Sequence, residues 1–304
     1  KYIQSGDTAI VGVSGGSESV FLLNILAEFS GHLPCEIIVA HINHGIRGRD
    51  ADNDEKFVKN LAEKFGLKFE LKRVKLAGKS ALEEKGREVR REFFEKLRQK
   101  YNAKWILTAH TQNDNIETII FNFLRGSGLK GLAGMKELKG FYLKPLLSIT
   151  KPEILNFLRS KKIKFREDKT NKDTKFKRNF IRNKVLPLLI KINPSFSGTI
   201  LRNSAIFREL DDFMKIQARD FVKRHKNGEQ LFPLKEYEKL PDALKTAVIQ
   251  EVFKICKKTA YNLSSVKTEE IRGLLARKIG NKKIICQGGG GFYLKNGIAE
   301  WLDK

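Results

Sequence analysis

Short apolar runs alternate with longer segments of helical periodicity over the first 125 residues. The apolar runs predict strands over residues 8–13, 36–41, 69–74 and 105–109. Apolar residues three or four positions apart predict a helix that starts near Val20 and further helices over residues 51–65, 81–100 and 113–124. Strands that alternate with helices form a parallel sheet covered on both faces. We therefore predict an α/β fold with a doubly wound parallel sheet that binds ligands at the carboxyl ends of its strands.

The remainder of the chain is punctuated by glycine and proline and has a mostly helical pattern. Glycines cluster over residues 126–134, and a basic helical segment follows. Beyond residue 195 the pattern predicts helices over 198–225, 242–258 and 274–279, with a strand pair near the C-terminus. We predict three parts, namely a sheet domain over residues 1–195, a helical linker over 196–215 and a smaller, mainly helical domain over 216–304.

The chain is strongly basic, and its positive charge is unevenly distributed. Its 304 residues include 59 Lys and Arg against 35 Asp and Glu, which gives a net charge of +24. Residues 1–60 carry 5 basic and 8 acidic side chains, whereas residues 61–190 carry 32 and 14. Such a charge favours a polyanionic partner, most simply nucleic acid. The unevenness favours a dedicated basic face over a surface that is lysine-rich throughout.

Other features argue against several classes of protein. No apolar run approaches the roughly 18–20 residues of a membrane span, and the N-terminus lacks the order of a secretion signal. Three cysteines, Cys35, Cys256 and Cys286, lie far apart and form no CxxC pair. This spacing disfavours a zinc site, an iron–sulfur cluster or a disulfide framework. We expect a cytoplasmic protein with reduced thiols and no membrane partner.

A glycine loop separates the first predicted strand from the first helix, with the sequence Ser14-Gly15-Gly16-Ser17-Glu18-Ser19. Two glycines allow a tight turn, and the start of a helix offers N–H groups and a positive dipole end to an anion. The loop lacks both the lysine of the Walker pattern and a GxGxxG sequence, so neither of those nucleotide folds is indicated. It is therefore either a phosphate site or a plain turn between strand and helix.

The loop resembles the SGGxDS signature of the N-type ATP pyrophosphatases, which have the PP-loop fold and split ATP between its α- and β-phosphates. The resemblance implies that residues 14–19 bind ATP. It also implies that Glu18, which stands where the family carries aspartate, helps to hold Mg²⁺ on the phosphates. The extra methylene of Glu18 moves the carboxylate, so this departure bears directly on activity.

Further blocks narrow the resemblance to the tRNA(Ile)-lysidine synthetases, one branch of these pyrophosphatases. The second strand is followed by His41-Ile42-Asn43-His44-Gly45-Ile46-Arg47, which resembles the element HxNHGLR. Residues 108–118 are similar to TAHHxDDQxET, with Asn113 and Asn115 as departures. More blocks resemble family elements in the same order, at residues 83–91, 125–132, 167–171 and 178–187.

The resemblance implies a reaction and its substrates. These enzymes use ATP and L-lysine to convert the wobble cytidine of tRNA(Ile) with a CAU anticodon to lysidine, after adenylation of the cytosine O2. The expected partners are therefore this tRNA and L-lysine, with a homodimer as one option for assembly. The C-terminal domain would be the accessory tRNA-binding domain of the family, and residues 1–195 would be the catalytic domain.

The resemblance also implies a set of site residues. The catalytic group would comprise Glu18, His110, Asp114, Glu117, Arg90 and Arg182. The ATP-binding group would comprise Ser14, Gly15, Gly16, Ser17, Glu18, Ser19, His41, Asn43 and His44. The tRNA-binding group would comprise Arg47, Arg87, Arg125, Lys130, Arg178 and Lys184. Mg²⁺ would be held by Glu18 and Asp114.

Three alternatives stay open. Asn113 or Asp114 could simply cap a helix, which explains one acid but not its pairing with Glu117 and His110. Another PP-loop enzyme could thiolate a tRNA base, although such enzymes generally need paired cysteines or a cluster. The departures at positions 18, 113 and 115 also allow an RNA-binding relative that has lost activity.

Overall fold

The structure is a computed structural model that describes residues 2–30, 35–45, 48–74, 82–167, 174–258, 263–278, 280 and 282–303. The chain divides into two compact units, Lys1–Ser204 and Ala205–Lys304. The division lies inside the predicted linker 196–215, which belongs to one long helix, Phe196–His225. Each unit has its own hydrophobic core.

The first unit contains a six-stranded sheet that is parallel except at one edge. Its strands are β1 (Thr8–Gly12), β2 (Glu36–Asn43), β3 (Lys68–Arg73), β4 (Trp105–Leu107), β5 (Leu138–Lys139) and β6 (Tyr142–Leu143). They lie in the order β3-β2-β1-β4-β6-β5, with β5 antiparallel to β6. This arrangement confirms the predicted doubly wound α/β fold. The hydrophobic pattern does not predict β5 and β6, because strands of two residues are too short to show an alternation.

Helices connect these strands and complete the unit. They are α1 (Ser17–Ser30), α2 (Arg49–Lys64), α3 (Leu82–Lys100), α4 (Gln112–Leu124), α5 (Leu129–Leu132), α6 (Lys151–Ser160), α7 (Lys177–Phe180) and α8 (Leu186–Ile192). A π-helical turn, Ile181–Val185, joins α7 to α8. Pro187, near the start of α8, fits this wider turn, because proline has no N–H to donate and its ring crowds the carbonyl four residues earlier.

The alternation of side chains along β1 divides the core between the two faces of the sheet. Ala9 and Val11 belong to the core on one face and Ile10 to the core on the other, and each is at most 1% exposed. Helices α1, α2 and α6 cover the first face with aliphatic side chains. The second face is covered by α3, which contributes Phe93 and Phe94. Burial of each such side chain contributes roughly 1.5–3 kcal/mol, so β1 is firmly held at the centre of the sheet.

The strand order creates a crevice at the carboxyl end of β1. The chain adds β2 and β3 on one side of β1 and then returns to place β4 on the other side. The connection that contains α1 packs on one face, whereas the connection that contains α3 packs on the opposite face. Open α/β sheets bind ligands at such a reversal. The glycine loop after β1 and residues 108–111 after β4 both reach this crevice.

The second unit combines helices with a four-stranded antiparallel sheet in the order β7-β10-β9-β8. Its elements are α9 (Phe196–His225), which begins in the first unit, β7 (Gln230–Pro233), α10 (Leu234–Glu238), α11 (Asp242–Lys257), α12 (Ser265–Ala276), β8 (Lys283–Ile285), β9 (Gly291–Lys295) and β10 (Ile298–Leu302). The predicted strand pair thus belongs to a larger sheet. The helix predicted over 274–279 is wrong in position, because α12 ends at Ala276.

No helix in the part of the chain that the structure describes is long and apolar enough to cross a membrane. The three cysteines are free thiols, with Cys35 in the first unit and Cys256 and Cys286 in the second. Burial raises the pKa of all three thiols, that of Cys256 to about 11, so they are protonated at neutral pH.

Candidate active site

The turn of the glycine loop depends on Gly15. Its φ of +92° lies in the left-handed region that side chains disfavour. A Cβ atom at this position would lie 3.4–3.6 Å from Phe57, Val58 and Arg166. The Gly15 carbonyl also accepts a hydrogen bond from the Arg166 backbone N–H at 2.9 Å. The loop is therefore packed from behind by α2 and by the segment that follows α6.

The three serines of the loop have different surroundings. Ser19 is 5% exposed, and its hydroxyl accepts from the Ser14 N–H at 3.2 Å and donates to the Gly16 carbonyl at 3.0 Å. Ser17 is equally buried and donates its hydroxyl to Glu18 at 3.0 Å. Ser14 is exposed. Ser17 and Ser19 thus shape the loop, and Ser14 is the serine presented to solvent.

Glu18 pairs with a lysine across the crevice. Lys151 Nζ lies 2.8 Å from Glu18 Oε1. Burial acts to raise the pKa of the Glu18 carboxyl, but the hydrogen bonds and charge of Lys151, helped by Ser17, outweigh it and leave the pKa below its ordinary value. Glu18 is therefore ionised at neutral pH and has Lys151 as its counter-ion.

A capping box fixes the start of α4. Thr111 is the N-cap, and its side chain accepts from the Asp114 N–H while Asp114 Oδ2 accepts from the Thr111 N–H at 2.9 Å. Thr111, not Asn113 or Asp114, is the N-cap residue, but the alternative holds in part, because Asp114 contributes to the cap as the acid of the capping box. Asn113 instead accepts from the Lys151 backbone N–H at 2.9 Å and so ties α4 to α6.

Asn115, the other departure from the family pattern, is buried in a packing role. It is 5% exposed, and its Oδ1 accepts from the Met135 N–H at 2.7 Å. Gly134, with a φ of +66°, passes so close that a Cβ atom would lie 2.5 Å from Asn115 Oδ1. This asparagine therefore anchors the glycine-rich connector to α4.

Arg182 binds both acids of α4. Its guanidinium donates to Glu117 Oε1 at 2.6 Å and Oε2 at 2.9 Å, and to Asp114 Oδ1 at 3.2 Å. Glu117 is 1% exposed, and burial raises its pKa even though Arg182 acts in the opposite direction. The structure thus brings together three residues of the predicted catalytic group, Asp114, Glu117 and Arg182, with the arginine as a counter-ion that the sequence did not predict.

These groups line one cavity of about 260 Å³ at the carboxyl ends of the strands. The charged part of the wall consists of Glu18, Asp114, Glu117, Lys151 and Arg182, and the apolar part comes from α8. The complete lining is Glu18, Thr111, Asn113, Asp114, Glu117, Lys151, Arg182, Leu186, Pro187 and Ile190. The cavity offers charged groups on one side and an apolar surface on the other, so it suits a ligand with phosphate or ammonium groups beside an apolar or planar part.

His110 lies next to this cavity and is neutral at physiological pH. Its Nδ1 lies 3.0 Å from Thr108 Oγ1. Burial lowers the pKa of the imidazole to about 4, with Asp114 opposing the change and the charges of Lys144, Arg90 and Arg178 adding to it. The histidine is therefore a neutral imidazole on which burial and the nearby cationic side chains disfavour a proton.

The histidine–asparagine block begins in the last residues of β2 and lies behind the glycine loop. His41 is 3% exposed and donates from Nδ1 to the Val13 carbonyl at 2.8 Å. Asn43 donates to Asp52 and Glu55, both at 3.0 Å, and accepts from the Gly45 N–H at 3.0 Å. Neither side chain lines the cavity formed by the described residues. Their ATP-binding role, like that of His44, stays a prediction.

The side chains predicted to bind tRNA are mostly at the surface. Those of Arg87, Arg125, Lys130 and Lys184 are exposed, and Arg178 donates to Thr118 Oγ1 at 3.2 Å. Arg47 lies outside the described residues. The tRNA-binding role of this group stays a prediction.

Two residues of the site escape sequence reasoning. Lys151 lines the cavity because α6 begins beside α4. Its position at the start of a predicted helix is the one sequence signal that could have marked it as a candidate site residue. Arg166 supports the glycine loop through its backbone N–H, and its side chain donates to the buried Asp54 at 2.9 Å. Nothing in the local sequence pairs Arg166 with a residue 112 positions earlier.

The chain is similar in sequence to known proteins. A family profile described as a PP-loop domain matches residues 3–189. A tRNA(Ile)-lysidine synthase of Chlorobaculum tepidum is 35% identical over 235 residues, which cover 74% of this chain and 70% of that protein. The chain belongs to the tRNA(Ile)-lysidine synthase family. The residues that line the cavity described above, except Ile190, all lie in the stretch 3–189 that the PP-loop profile of this family matches.

Other relatives are longer than the chain. The tRNA(Ile)-lysidine synthases of Thermosipho africanus and Clostridium tetani are 38% and 39% identical, over 70% and 69% of this chain. The chain spans about half of their length, 51% and 47%. Among solved structures, the U34-tRNA thiolase NcsA of Methanococcus maripaludis with its 4Fe–4S cluster has a TM-score of 0.57 at 18% identity, and the match covers 68% of this chain and 73% of NcsA. That likeness concerns the fold alone.

Proposed function

We propose that the chain catalyses the ATP-dependent ligation of L-lysine to C2 of the wobble cytidine of tRNA(Ile) with a CAU anticodon. In the first step the cytosine O2 attacks the α-phosphate of ATP, and pyrophosphate leaves. In the second step the ε-amine of lysine attacks C2, and AMP leaves. The names of the family members support this assignment.

One observation carries the proposal. Residues from three blocks that lie far apart in the sequence line the same cavity, namely Glu18, the pair Asp114 and Glu117, and Arg182. Ion pairs and hydrogen bonds of 2.6–3.2 Å connect them or hold them in place. The cavity lies where the strand order reverses, which is where α/β folds bind ligands. Charged residues that only stabilised the fold would have no reason to gather at that point.

The glycine loop would receive the phosphates of ATP, with Mg²⁺ offsetting their charge. Mg²⁺ is usually bound through one or two protein carboxylates together with phosphate oxygens and water. Glu18 and Asp114 provide that number at the cavity, whereas no group of three or more metal-binding side chains occurs among the described residues. The donor set therefore fits a metal ion that arrives with the phosphates. Such an ion would stabilise the charge on the departing pyrophosphate.

The attacking amine must lose a proton, and its ammonium form needs a negative partner. Asp114 and Glu117 supply the negative charge, and Arg182 fixes the positions of both carboxylates. His110 is a candidate proton acceptor by its position beside the cavity, and its pKa of about 4 makes it a weak base there. The apolar wall from α8 would face the planar base or the aliphatic stem of lysine.

The tRNA would approach through its anticodon loop, because the bases of a single-stranded loop can be splayed out more easily than those of a duplex. Exposed basic side chains on α3, on the connector after α4 and on the π-helical turn would bind its phosphates. These include Arg87, Arg125, Lys130 and Lys184.

The test is incorporation of radiolabelled lysine into tRNA transcripts in the presence of ATP. We expect label in the CAU transcript, none in a transcript whose wobble cytidine is replaced by uridine, and none without ATP. Glu117→Gln should abolish labelling. Glu63→Gln is the matched control, because Glu63 is an exposed glutamate on α2 whose partner Lys59 is 3.8 Å away.

Each alternative predicts a different outcome. Binding of tRNA without labelling by the wild type would overturn the proposal and identify an RNA-binding relative. ATP consumption that depends on a sulfur donor would identify a thiolation enzyme. The state of the cysteines disfavours the latter, because all three are free and burial raises the pKa of each thiol, which leaves little reactive thiolate.

A further inference from the structure

Lys151 is a cavity residue for which neither the sequence motifs nor the proposed reaction has a role. It is the first residue of α6, and its ammonium lies 2.8 Å from Glu18. Among the described residues that line the cavity, Arg182 is the other cation, and that guanidinium is already bound to Glu117 and Asp114. Lys151 is therefore the cation of the cavity that is held by a single carboxylate.

The backbone of Lys151 is fixed although its side chain can move. Its N–H donates to Asn113 at 2.9 Å. The next residues form a capping box in which the Glu153 carboxylate accepts from the Thr150 N–H at 2.7 Å. The Lys151 side chain is 39% exposed and the Glu18 side chain 25%. The ammonium can thus change partners at the end of a flexible four-carbon stem while its Cα atom stays in place.

The charge of the cavity makes such a change favourable when a polyphosphate enters. The lining carries three carboxylates, of Glu18, Asp114 and Glu117, against two cations. A triphosphate would be repelled by the net negative charge of this lining. A cation of the lining that turned toward its oxygens would offset the repulsion. An ammonium is attracted more strongly by several phosphate oxygens than by one carboxylate, and lysine is a common phosphate ligand. Lys151 would then supply the charge that the glycine loop lacks, since that loop has no Walker-type lysine.

We propose that Lys151 is a phosphate-binding residue of the ATP site. Its ammonium pairs with Glu18 in the nucleotide-free protein and moves to the phosphates when ATP binds, which leaves the Glu18 carboxylate available to a metal ion. This inference rests on the proposed use of ATP, and it adds a residue and an exchange of partners to that site.

The first experiment measures ATP affinity by titration calorimetry on the full chain, with Mg²⁺ but without tRNA or lysine. Lys151→Met should weaken ATP binding at least tenfold and change adenosine binding less than twofold, because adenosine has no phosphate. Lys104→Met is the matched control. Lys104 forms an ion pair of 3.0 Å with Asp7 and is 45% exposed. It directly precedes β4, at the amino ends of the strands and so away from the cavity. This variant should bind ATP like the wild type.

A second experiment separates contact with phosphate from support of Glu18. If Lys151 binds phosphate, Lys151→Met weakens ATP binding in the Glu18→Gln background as well. Glu18→Gln alone should then tighten ATP binding severalfold when EDTA removes Mg²⁺, because the Glu18 carboxylate no longer competes with the phosphates for the Lys151 ammonium. A Lys151→Met effect that disappears in the Glu18→Gln background would overturn the proposal, since Lys151 would then act only through Glu18. Unchanged ATP affinity in Lys151→Met would also overturn it.

The two proposals fail in different ways. Wild-type protein that binds ATP with the expected Lys151 dependence but does not label tRNA would refute the proposed reaction and leave the phosphate role of Lys151 standing. Wild-type protein that makes lysidine while Lys151→Met keeps full ATP affinity would refute the role of Lys151 alone. Wild-type protein that binds no ATP would refute both.

Discussion

Replacement of Arg182 by methionine tests whether one guanidinium holds the two acids of α4. Glu117 is 1% exposed and receives two hydrogen bonds from Arg182, at 2.6 and 2.9 Å. Removal of one partner of a buried ion pair costs about 3–5 kcal/mol, because the other charge stays buried without a counter-ion. The Arg182 side chain is 32% exposed, so water reduces the loss. We expect Arg182→Met to lower the free energy of unfolding by about 3 kcal/mol.

Urea unfolding at neutral pH measures this energy and the coupling between the two residues. It compares the wild type with Arg182→Met, Glu117→Gln and the double variant. The double variant should be more stable than Arg182→Met, because glutamine leaves no buried charge. Arg91→Met is the control. Arg91 and Glu95 form an exposed pair of 3.0 Å on α3, and its loss should cost less than about 1 kcal/mol.

The pH dependence of the Arg182→Met variant has a definite sign. Burial raises the pKa of Glu117 in the folded protein, and loss of Arg182 removes the interaction that lowers it. A carboxyl whose pKa is higher in the folded state binds more protons there, so stability increases as the pH falls through that pKa. The deficit of Arg182→Met should therefore be smaller at about pH 5 than at about pH 8. A deficit below about 0.5 kcal/mol, or one that Glu117→Gln does not reduce, would refute the assignment of Arg182 as the counter-ion.

Three further predictions concern the loop, the connector and the RNA. Glu18→Asp should raise pyrophosphate release in single-turnover assays, because it restores the aspartate of the family signature. Unchanged or lower release would mean that Glu18 already holds the metal ion as well as aspartate does, or that it does not bind the metal ion. Gly134→Ala should lower the free energy of unfolding by about 2–3 kcal/mol, because a left-handed φ combines with a contact of 2.5 Å to Asn115. Gly140→Ala, with a φ of +60° and no neighbour within 4 Å, should cost only about 1 kcal/mol in the same urea titration, and equal losses would contradict the reasoning. The affinity for tRNA, measured by filter binding, should fall at least tenfold between about 50 and 200 mM salt, and a flat profile would rule out the predicted phosphate contacts.

Much of the candidate site is predictable from the sequence because its signals are local. The strand before Ser14 shows in the hydrophobic pattern, and the glycine pair that follows marks the turn. The acids Asp114 and Glu117 lie three residues apart, so one helix start brings them together. Such features need no knowledge of distant contacts.

The parts of the site that escape prediction depend on contacts between distant segments. Lys151 reaches Glu18 only because α6 begins beside α1 and α4, and Arg182 finds its acids 65 and 68 positions earlier in the chain. The hydrophobic pattern specifies which side of a helix is buried but not which helix ends meet. The identity of each counter-ion is therefore information that only the folded chain contains.

The π-helical turn Ile181–Val185 affects which side chains of this helical stretch face the cavity. Arg182 and Pro187 lie on one continuous helical stretch, yet both line the same cavity. A π turn accommodates one residue more than an α turn, and each residue of an α-helix turns the chain by about 100°. On an α-helix, residues five apart would point about 140° away from each other, so the π turn helps to place Arg182 and Pro187 on the same side of the stretch. The backbone hydrogen-bond pattern of this stretch, as well as its side chains, therefore helps to hold Arg182 against its two acids.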